Sequence, residues 1–260
     1  MAVTYRIATL SDTSQIADCG AISMIDDELF AALYPRRHAD PARFRAYFKR
    51  RARNRLTDHM TVTLVAEMDD EAAKDGKSKR IVGFAQWQKI GQAAGETRWH
   101  PLKACENRLL AMQDWLAGLF GKSGELFGLE SEAAISDPEA MKAFYETYDD
   151  LDKEYWIKDG VDHERWHLQL LGVLPEARRR GIGSKLVQLG IDRARRDGCD
   201  AGLEASPLGL SMYQRQGFEI MGTYVMERLL EEDGRPILSP VLIWRNPDIK
   251  HGHPKSNSKS

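Results

Sequence analysis

Residues 168–183 of this 260-residue chain read LQLLGVLPEARRRGIG, and this stretch decides the fold. Its first half is apolar and has the length of a strand, whereas its second half holds three consecutive arginines and two glycines. After Ser184 the apolar residues recur at helical spacing, with charged residues on the other face. We therefore predict a strand that leads through a glycine-containing loop into an amphipathic helix.

The loop between this strand and helix has the features of an anion-binding site. The first N–H groups of a helix have no acceptor within the helix, and the helix dipole places positive charge beside them. Glycines leave room for an anion to approach, and Arg178, Arg179 and Arg180 add full charge. A pyrophosphate would fit there. An ordinary turn with solvated arginines is the alternative.

Two other phosphate-binding motifs fit this loop less well. A Walker loop requires four residues between its first glycine and a Gly-Lys-Ser/Thr triplet, and the order Gly183-Ser184-Lys185 excludes it. A dinucleotide-binding fingerprint requires a third glycine where Leu186 stands, although Glu204 lies near the distance expected for a ribose-binding acid. The dinucleotide-binding site therefore stays open as an alternative.

The segment after this helix predicts two more strands and a short helix. Gly198 ends the first helix, and residues 201–205 form a strand. Ser206 is predicted as the N-cap of the short helix, with a proline at its first position and Gly217 after its end. Residues 218–224 then form the next strand.

This order of elements resembles the GNAT superfamily of acyl-CoA-dependent N-acyltransferases. The matching motifs are Val173, Pro175 and Arg178-x-x-Gly181-x-Gly183 for the cofactor pyrophosphate, then Leu203-Glu204-Ala205-Ser206 and Tyr213-x-x-x-Gly217-Phe218. The resemblance is clear over residues 166–224, extends to 3–20 and 61–89, and is absent over 90–156. It implies an α/β fold of the α+β type, in which helices flank a mixed, mostly antiparallel central sheet. It also implies acetyl-CoA as co-substrate.

The resemblance assigns roles to individual residues. A tyrosine on the last helix protonates the departing thiolate, and that position is Tyr213. The base that accepts the amine proton lies on the fourth strand, at His167, where histone-type relatives have a glutamate. An imidazole with an ordinary pKa of about 6.5 suits that step, and Glu164, Glu204 and Glu67 are reserves. A structural histidine and a packed tyrosine are the alternatives. The implied cofactor-binding residues are Leu171, Gly172, Val173, Arg178, Arg179, Arg180, Gly181, Ile182, Gly183, Ser184 and Ser206.

Residues 90–156 are predicted to form a helical insertion on the acceptor side of the site. They contain two helix candidates, residues 105–120 and 138–152, and many aromatic side chains. A concave site lined by aromatic side chains favours a small-molecule acceptor. Plain core packing is the alternative for each of them. The predicted lining residues are Tyr145, Tyr148, Tyr155 and Trp156.

The remaining segments predict the rest of one domain over residues 1–246. Residues 3–10 form a strand, and Ser11 or Asp12 caps the helix that follows. Residues 61–68 and 81–89 form two further strands. We also predict an amphipathic helix over 40–56, whose basic face is solvated, and a disordered tail over 247–260.

Composition indicates a soluble enzyme of a reducing compartment, so we expect a cytoplasmic protein. The formal net charge of −2 gives no global attraction to nucleic acid or to an anionic membrane. The three cysteines are scattered and form no Cys-x-x-Cys pair, so neither a disulfide framework nor a metal site is predicted. No run of 18 apolar residues predicts a membrane span. A homodimer is left open.

The expected activity is transfer of an acetyl group from acetyl-CoA to a primary amine of a small molecule, by direct attack in a ternary complex. A peptide or protein N-acetyltransferase is the second hypothesis. A non-catalytic acyl-CoA-binding protein is the third. Whether His167 and Tyr213 point into one cleft is the feature that separates these hypotheses.

Overall fold

The computed structural model describes residues 2–70, 78–91, 132–158 and 161–249. The long strands in these ranges are β1 (Thr4–Ile7), β2 (Thr61–Asp69), β3 (Lys79–Ile90), β6 (Arg165–Val173), β7 (Asp200–Glu204), β8 (Glu219–Leu230) and β9 (Pro236–Trp244). Two short strands, β4 (Ile157–Lys158) and β5 (Val161–Asp162), pair with each other. The long strands form one sheet in the order β1-β2-β3-β6-β7-β9-β8. Only the β6–β7 pair in it is parallel, so the predicted mixed, mostly antiparallel sheet is confirmed.

Helices pack on this sheet throughout the described ranges. Their bounds are α1 (Thr13–Ser23), α2 (Glu28–Leu33), α3 (Pro41–Thr57), α4 (Pro138–Leu151), α5 (Ile182–Arg196) and α6 (Leu210–Arg215). A π-helical turn over Asp152–Trp156 continues α4. In the part of the chain that is described, no helix is long and apolar enough to cross a membrane.

The start and the buried face of α3 follow from its sequence. The Asp40 carboxylate accepts a hydrogen bond from the Arg43 N–H at 3.1 Å, and Pro41 stands in the first turn. Apolar residues three or four positions apart then face the core, because that spacing places them on one side of a helix. These residues are Phe44, Phe48, Ala52 and Leu56.

Helix α5 begins where the glycines predict it and packs closely on β3. Gly181 precedes it with φ +77°, a left-handed conformation that favours glycine. At Gly190 an added Cβ would lie 2.1 Å from the Trp87 ring, so only glycine allows this distance between helix and strand. Gly198, with φ +65°, follows the helix as predicted.

The sheet opens between β6 and β7. In β6 only Arg165–Leu168 pair with β7, where their partners are Asp200–Leu203. On the other side, β6 stays paired with β3 as far as Val173, with an irregularity in register at Gln169. The second half of β6 therefore has no strand partner on its β7 side among the described residues. This opening is the centre of the candidate site.

One of the predicted helix starts is wrong. Ser206 is not the N-cap of α6, because Ser206 O accepts the Gly209 N–H at 3.0 Å and closes a turn before the helix begins at Leu210. Asp12 is the N-cap residue of α1, as predicted, but its side chain accepts no hydrogen bond from that helix. Its carboxylate instead accepts the Thr9 N–H at 2.7 Å, within a 3-10 turn that precedes the helix.

Some predicted features lie outside the described residues. The helix candidate over 105–120 is one, and the tail is described only as far as residue 249. The predicted helix over 138–152 is confirmed as α4.

Candidate active site

The loop after β6 presents the start of α5 to solvent. The first N–H within the helix ladder is that of Lys185, which donates to Gly181 O at 2.9 Å. The amides just before it therefore precede the helical hydrogen-bonding pattern and lie at the positive end of the helix dipole. Arg179 adopts φ +59° beside Gly181 at +77°, so the chain turns sharply here. This geometry suits an anion such as a pyrophosphate.

The three arginines of this loop have different surroundings, although all are exposed. Arg178 donates from Nε to Val173 O at 3.1 Å and from Nη2 to Ser23 O at 3.2 Å. It therefore fastens the loop to the ends of β6 and α1. Arg180 contacts Met68 Sδ at 3.5 Å. Arg179 has a separate role, because its left-handed backbone turns the chain.

A cavity of about 830 Å³, here called the central cavity, lies where β6 and β7 separate. α2, α3 and α4 contribute one wall, and β6, β7 and α6 contribute the other. It brings together residues that were predicted for the cofactor, for the chemistry and for the acceptor. These are Leu171, Ser206, Tyr213, Glu204, Tyr145 and Tyr148.

The carboxylate of Glu204 is the centre of a hydrogen-bond network in the wall of the central cavity. Its Oε1 accepts from Trp156 Nε1, and its Oε2 accepts from Tyr148 OH and from His167 Nε2, each at 2.8 Å. Burial alone would raise the pKa of Glu204, but its interaction with His167 and the hydrogen bonds from Trp156 and Tyr148 hold it at about 2. Glu204 is therefore an anion at neutral pH. Because a carboxylate has about four acceptor positions, Oε1 can accept one more donor.

Both ring nitrogens of His167 already have hydrogen-bond partners, and the residue is 2% exposed. Arg165 Nε, which always carries its proton, donates to Nδ1 at 3.0 Å. The proton of the neutral imidazole must then be on Nε2, where it is donated to Glu204. In this arrangement the ring has no unoccupied lone pair with which to take a proton from an amine. His167 does not border the cavity that Tyr213 lines.

Tyr213 is placed by α6 with its phenol against the central cavity. Its ring packs edge-to-face on Phe218, with centroids 5.9 Å apart. The side chain is 8% exposed, and this burial raises the pKa of Tyr213 above its ordinary value. The phenol therefore keeps its proton at neutral pH and can donate it.

Two of the four predicted acceptor residues lie behind the central cavity. Trp156 is 1% exposed and packs with Leu151, under the Arg165 guanidinium, which lies 4.1 Å from the centre of the indole ring. Tyr155 packs on the same cluster, against Tyr224. Trp156 contributes to the site only through its hydrogen bond to Glu204. The other two predicted acceptor residues, Tyr145 and Tyr148, line the central cavity.

The reserve carboxylates have separate locations. Glu67 on β2 forms an ion pair with Arg6. Glu164 packs beside Gly91, where it would meet an added Cβ. Neither residue lines the central cavity, whereas Glu204 does.

Three arginines of α3 were missed as site residues. Arg50, Arg51 and Arg55 line the central cavity, so the prediction that the basic face of α3 is simply solvated is wrong at these positions. Arg55 donates to Gln88 Oε1 at 3.2 Å and to Gln169 Oε1 at 3.4 Å. The only signal in the sequence was the spacing of four residues between Arg51 and Arg55, which places both on one face of a helix.

Comparison with known proteins identifies relatives of this chain. The model of the Acetyltransferase (GNAT) family matches residues 139–218. An acetyltransferase from Stachybotrys chartarum (strain CBS 109288 / IBT 7711) is 26% identical over 219 residues, which are 84% of this chain and 81% of that protein. The family match thus begins within α4, although the sequence motifs placed no resemblance over residues 90–156.

Solved structures share the fold over nearly the whole chain. A histone acetyltransferase HPA2 and related acetyltransferase from Corynebacterium glutamicum ATCC 13032 superimposes with a TM-score of 0.54 at 18% identity, covering 98% of this chain and 99% of that one. The apo form of an agmatine N-acetyltransferase variant gives 0.53 at 16% identity, covering 94% and 99%. Arabidopsis thaliana NAA60 in complex with acetyl-CoA gives 0.50 at 12% identity, covering 94% and 98%.

Proposed function

Because the chain belongs to the GNAT superfamily, we propose that it transfers an acetyl group from acetyl-CoA to a primary amine of a small molecule, by direct attack in a ternary complex. One observation carries this proposal. The central cavity joins the open edge of β6, the buried phenol of Tyr213 and the anionic carboxylate of Glu204 in one space. These are the parts needed to hold an acyl group, to protonate a thiolate and to bind an ammonium.

The co-substrate is acetyl-CoA, with its pyrophosphate on the loop from Arg178 to Ser184. The start of α5 supplies N–H groups and dipole charge for that group. The Arabidopsis thaliana structure of the same fold was solved with acetyl-CoA, which supports this assignment. From the loop, the pantetheine would run along the unpaired edge of β6, past Gly172, towards Leu171 at the cavity. Strand-like hydrogen bonds to this edge would hold the chain of the cofactor.

Glu204 binds the ammonium of the acceptor. An alkylammonium is almost fully protonated at neutral pH, so it reaches the cavity as a cation. The remaining acceptor position on Oε1 of Glu204 suits one of its N–H groups. With a pKa of about 2, Glu204 is too weak a base to take the proton efficiently at neutral pH. We therefore assign it a binding role, and we assign His167 the role of positioning it.

Water and Tyr213 supply and accept the protons that acetyl transfer requires. Loss of the ammonium proton to water costs on the order of 5 kcal/mol at pH 7. The amine nitrogen then attacks the thioester carbon, the C–N bond forms, the nitrogen gives its second proton to water, and the C–S bond breaks. The thiolate takes the proton of Tyr213, and water returns a proton to the phenolate. The phenol is protonated at neutral pH, as this step requires. Because burial raises the pKa of Tyr213, its proton must pass to the sulfur while the C–S bond is breaking, when the sulfur is most basic.

The proposal is tested by thiol release from acetyl-CoA with a panel of primary amines and a peptide. We expect amine-dependent release of CoA and a product heavier by one acetyl group. Glu204→Gln should raise KM for the amine about tenfold or more, because a charge-assisted hydrogen bond is lost, and change KM for acetyl-CoA little. The control is Glu227→Gln, an exposed residue of β8 outside the cavity.

Three outcomes would contradict this function. Turnover restricted to the peptide would favour a protein acceptor. Binding of acetyl-CoA without turnover of any amine would favour a non-catalytic binding protein. An equal rise in KM for the amine in Glu204→Gln and Glu227→Gln would show that Glu204 does not bind the acceptor.

A further inference from the structure

Among the described residues, helix α3 contributes three arginines to the wall of the central cavity, Arg50, Arg51 and Arg55, and the last two also contact β6. Arg51 and Arg55 lie one helical turn apart on α3, and both border the cavity. Both also face the irregularity of β6 at Gln169, the strand beside which acetyl transfer is proposed. Burial, followed by the charge of Arg51, lowers the pKa of Arg55 from its ordinary value. Two like charges are thus held close together in a partly dry site.

Arg51 is half-buried, and its guanidinium has few hydrogen-bond partners among the described residues. Its Nη2 makes one long contact, 3.5 Å from Gln169 O. Its Nε is buried and has no hydrogen-bond partner among the residues described. Within the same residues, no carboxylate forms an ion pair with it. An unsatisfied buried donor destabilises a site, so a ligand that accepts hydrogen bonds here would gain affinity.

An anion at Arg51 would lie across Tyr148 from Glu204. Tyr148 lines the cavity and donates its hydroxyl proton to Glu204. Arg51 lies near enough for its charge to act on the same phenol. The central cavity therefore presents a negative group on β7 and a positive group on α3, with one tyrosine ring between them. A molecule that bears an ammonium and an anion would satisfy both.

The anion is best matched by a carboxylate. The planar fork of a guanidinium binds the two oxygens of a carboxylate side by side. Among the residues that the structure describes, six carboxylates and three guanidiniums line the cavity, a balance that disfavours a divalent phosphate more than a monovalent carboxylate. The phosphates of the co-substrate are accounted for at the loop, because no residue of 178–184 borders the cavity.

We propose that the acceptor is a small amino acid, whose carboxylate is bound by Arg51 with support from Arg55 and whose ammonium faces Glu204. This inference rests on the proposed function and narrows its substrate class. It assigns Arg51 as a specificity-determining residue on α3.

Matched pairs of acceptors test this assignment. Ornithine is compared with putrescine, and phenylalanine with phenethylamine, because each pair differs by one carboxylate. We expect kcat/KM to be about tenfold or more higher for the amino acid, from the charge-assisted hydrogen bonds. Arg51→Gln should abolish this advantage by raising KM for the amino acid. KM for the plain amine should stay within about twofold, since no contact to Arg51 is lost.

The control variant is Lys49→Gln, which removes one positive charge from an exposed position of the same helix. It should retain the preference for the amino acid. Circular dichroism and thermal unfolding of each variant show whether it is folded, and Arg51→Lys keeps the charge without the planar fork. This lysine variant should recover only part of the preference.

Binding is also measured directly, by isothermal titration of the amino acids into the protein with CoA present. Two results would overturn the inference and leave the proposed function intact. One is acetylation of plain amines and amino acids with equal kcat/KM. The other is an equal loss of kcat/KM for both members of a pair in Arg51→Gln. If no amine is acetylated, the proposed function fails. Loss of amino-acid binding in Arg51→Gln would still support the carboxylate site, and unchanged binding would overturn it.

Discussion

At the scale of single residues, hydrogen-bond partners decide which ionisable group can do chemistry. His167 has a suitable side chain and the position that the family resemblance implies for a base. Its two nitrogens are nevertheless occupied by Arg165 and Glu204. Tyr213, in contrast, lines the central cavity, and burial keeps its phenol protonated. Sequence could predict the position of Tyr213, but it could not reveal the partners of His167, because Glu204 is 37 residues away.

The role of Tyr213 is tested by Tyr213→Phe. Phenylalanine keeps the edge-to-face contact with Phe218 and removes only the hydroxyl. We expect kcat to fall by about 10 to 10⁴-fold, with acetyl-CoA affinity nearly unchanged, because the proton is used mainly in the transition state. Steady-state kinetics and equilibrium binding measure these two quantities. Tyr155→Phe, which alters a phenol outside the cavity, is the control. Wild-type turnover of Tyr213→Phe would leave this residue a packing role only.

At the scale of elements, local rules predicted most of residues 168–224. The strand, the loop, α5 and the glycines that end the helices lie where spacing and glycine chemistry place them. The Ser206 cap failed because the serine carbonyl closes a turn, and that turn uses up three residues before α6 starts. The face of α3 that borders the cavity was also missed. A basic helix face has the same pattern in water and beside a cavity, and Arg51 meets Gln169 only across 118 residues of chain.

The loop after β6 is tested by Gly183→Val. An added Cβ at this position lies 3.4 Å from Met212 Sδ, which is ordinary contact, so we expect the variant to fold. A branched side chain next to the first amides of α5 should block a pyrophosphate. Acetyl-CoA at about 100 times its Kd should raise the Tm of the wild type by about 5 to 10 °C. The variant should show no such rise.

The matched control for this loop is Gln188→Val, which places the same side chain later in α5. It should retain the rise in Tm. If acetyl-CoA raised the Tm of Gly183→Val as much as that of the wild type, the pyrophosphate would not bind at this loop.

At the scale of the whole molecule, one sheet joins both ends of the described chain. β1 begins at Thr4 and β9 ends at Trp244, and both belong to this sheet. That continuity supports the prediction of a single domain over residues 1–246. Fold class was predictable because GNAT-like motifs determine the order of elements. The central cavity was not, because its walls come from segments far apart in sequence.

The buried network around Glu204 makes the stability of the whole molecule depend on pH. The pKa of Glu204 is about 2 in the folded protein, below its ordinary value of 4.5. The carboxylate therefore contributes stability above pH 4.5, and this contribution is lost as pH falls from 4.5 towards 2. Urea unfolding at several pH values should show the wild type losing more free energy of unfolding across this window than Glu204→Gln. Parallel pH profiles for the two proteins would contradict the assignment.

The separation of β6 from β7 also affects how the sheet behaves towards other chains. Unpaired strand edges at the outside of a sheet can pair with strands of a neighbouring molecule and promote aggregation. The unpaired edge of β6 lies inside the sheet, between two of its own strands, and so has no outer margin for a foreign strand to join. Only a slender, single-chain ligand can use its hydrogen-bonding groups. The fold thus keeps the unpaired N–H and C=O groups of β6 available to a ligand without presenting them to strands of other molecules.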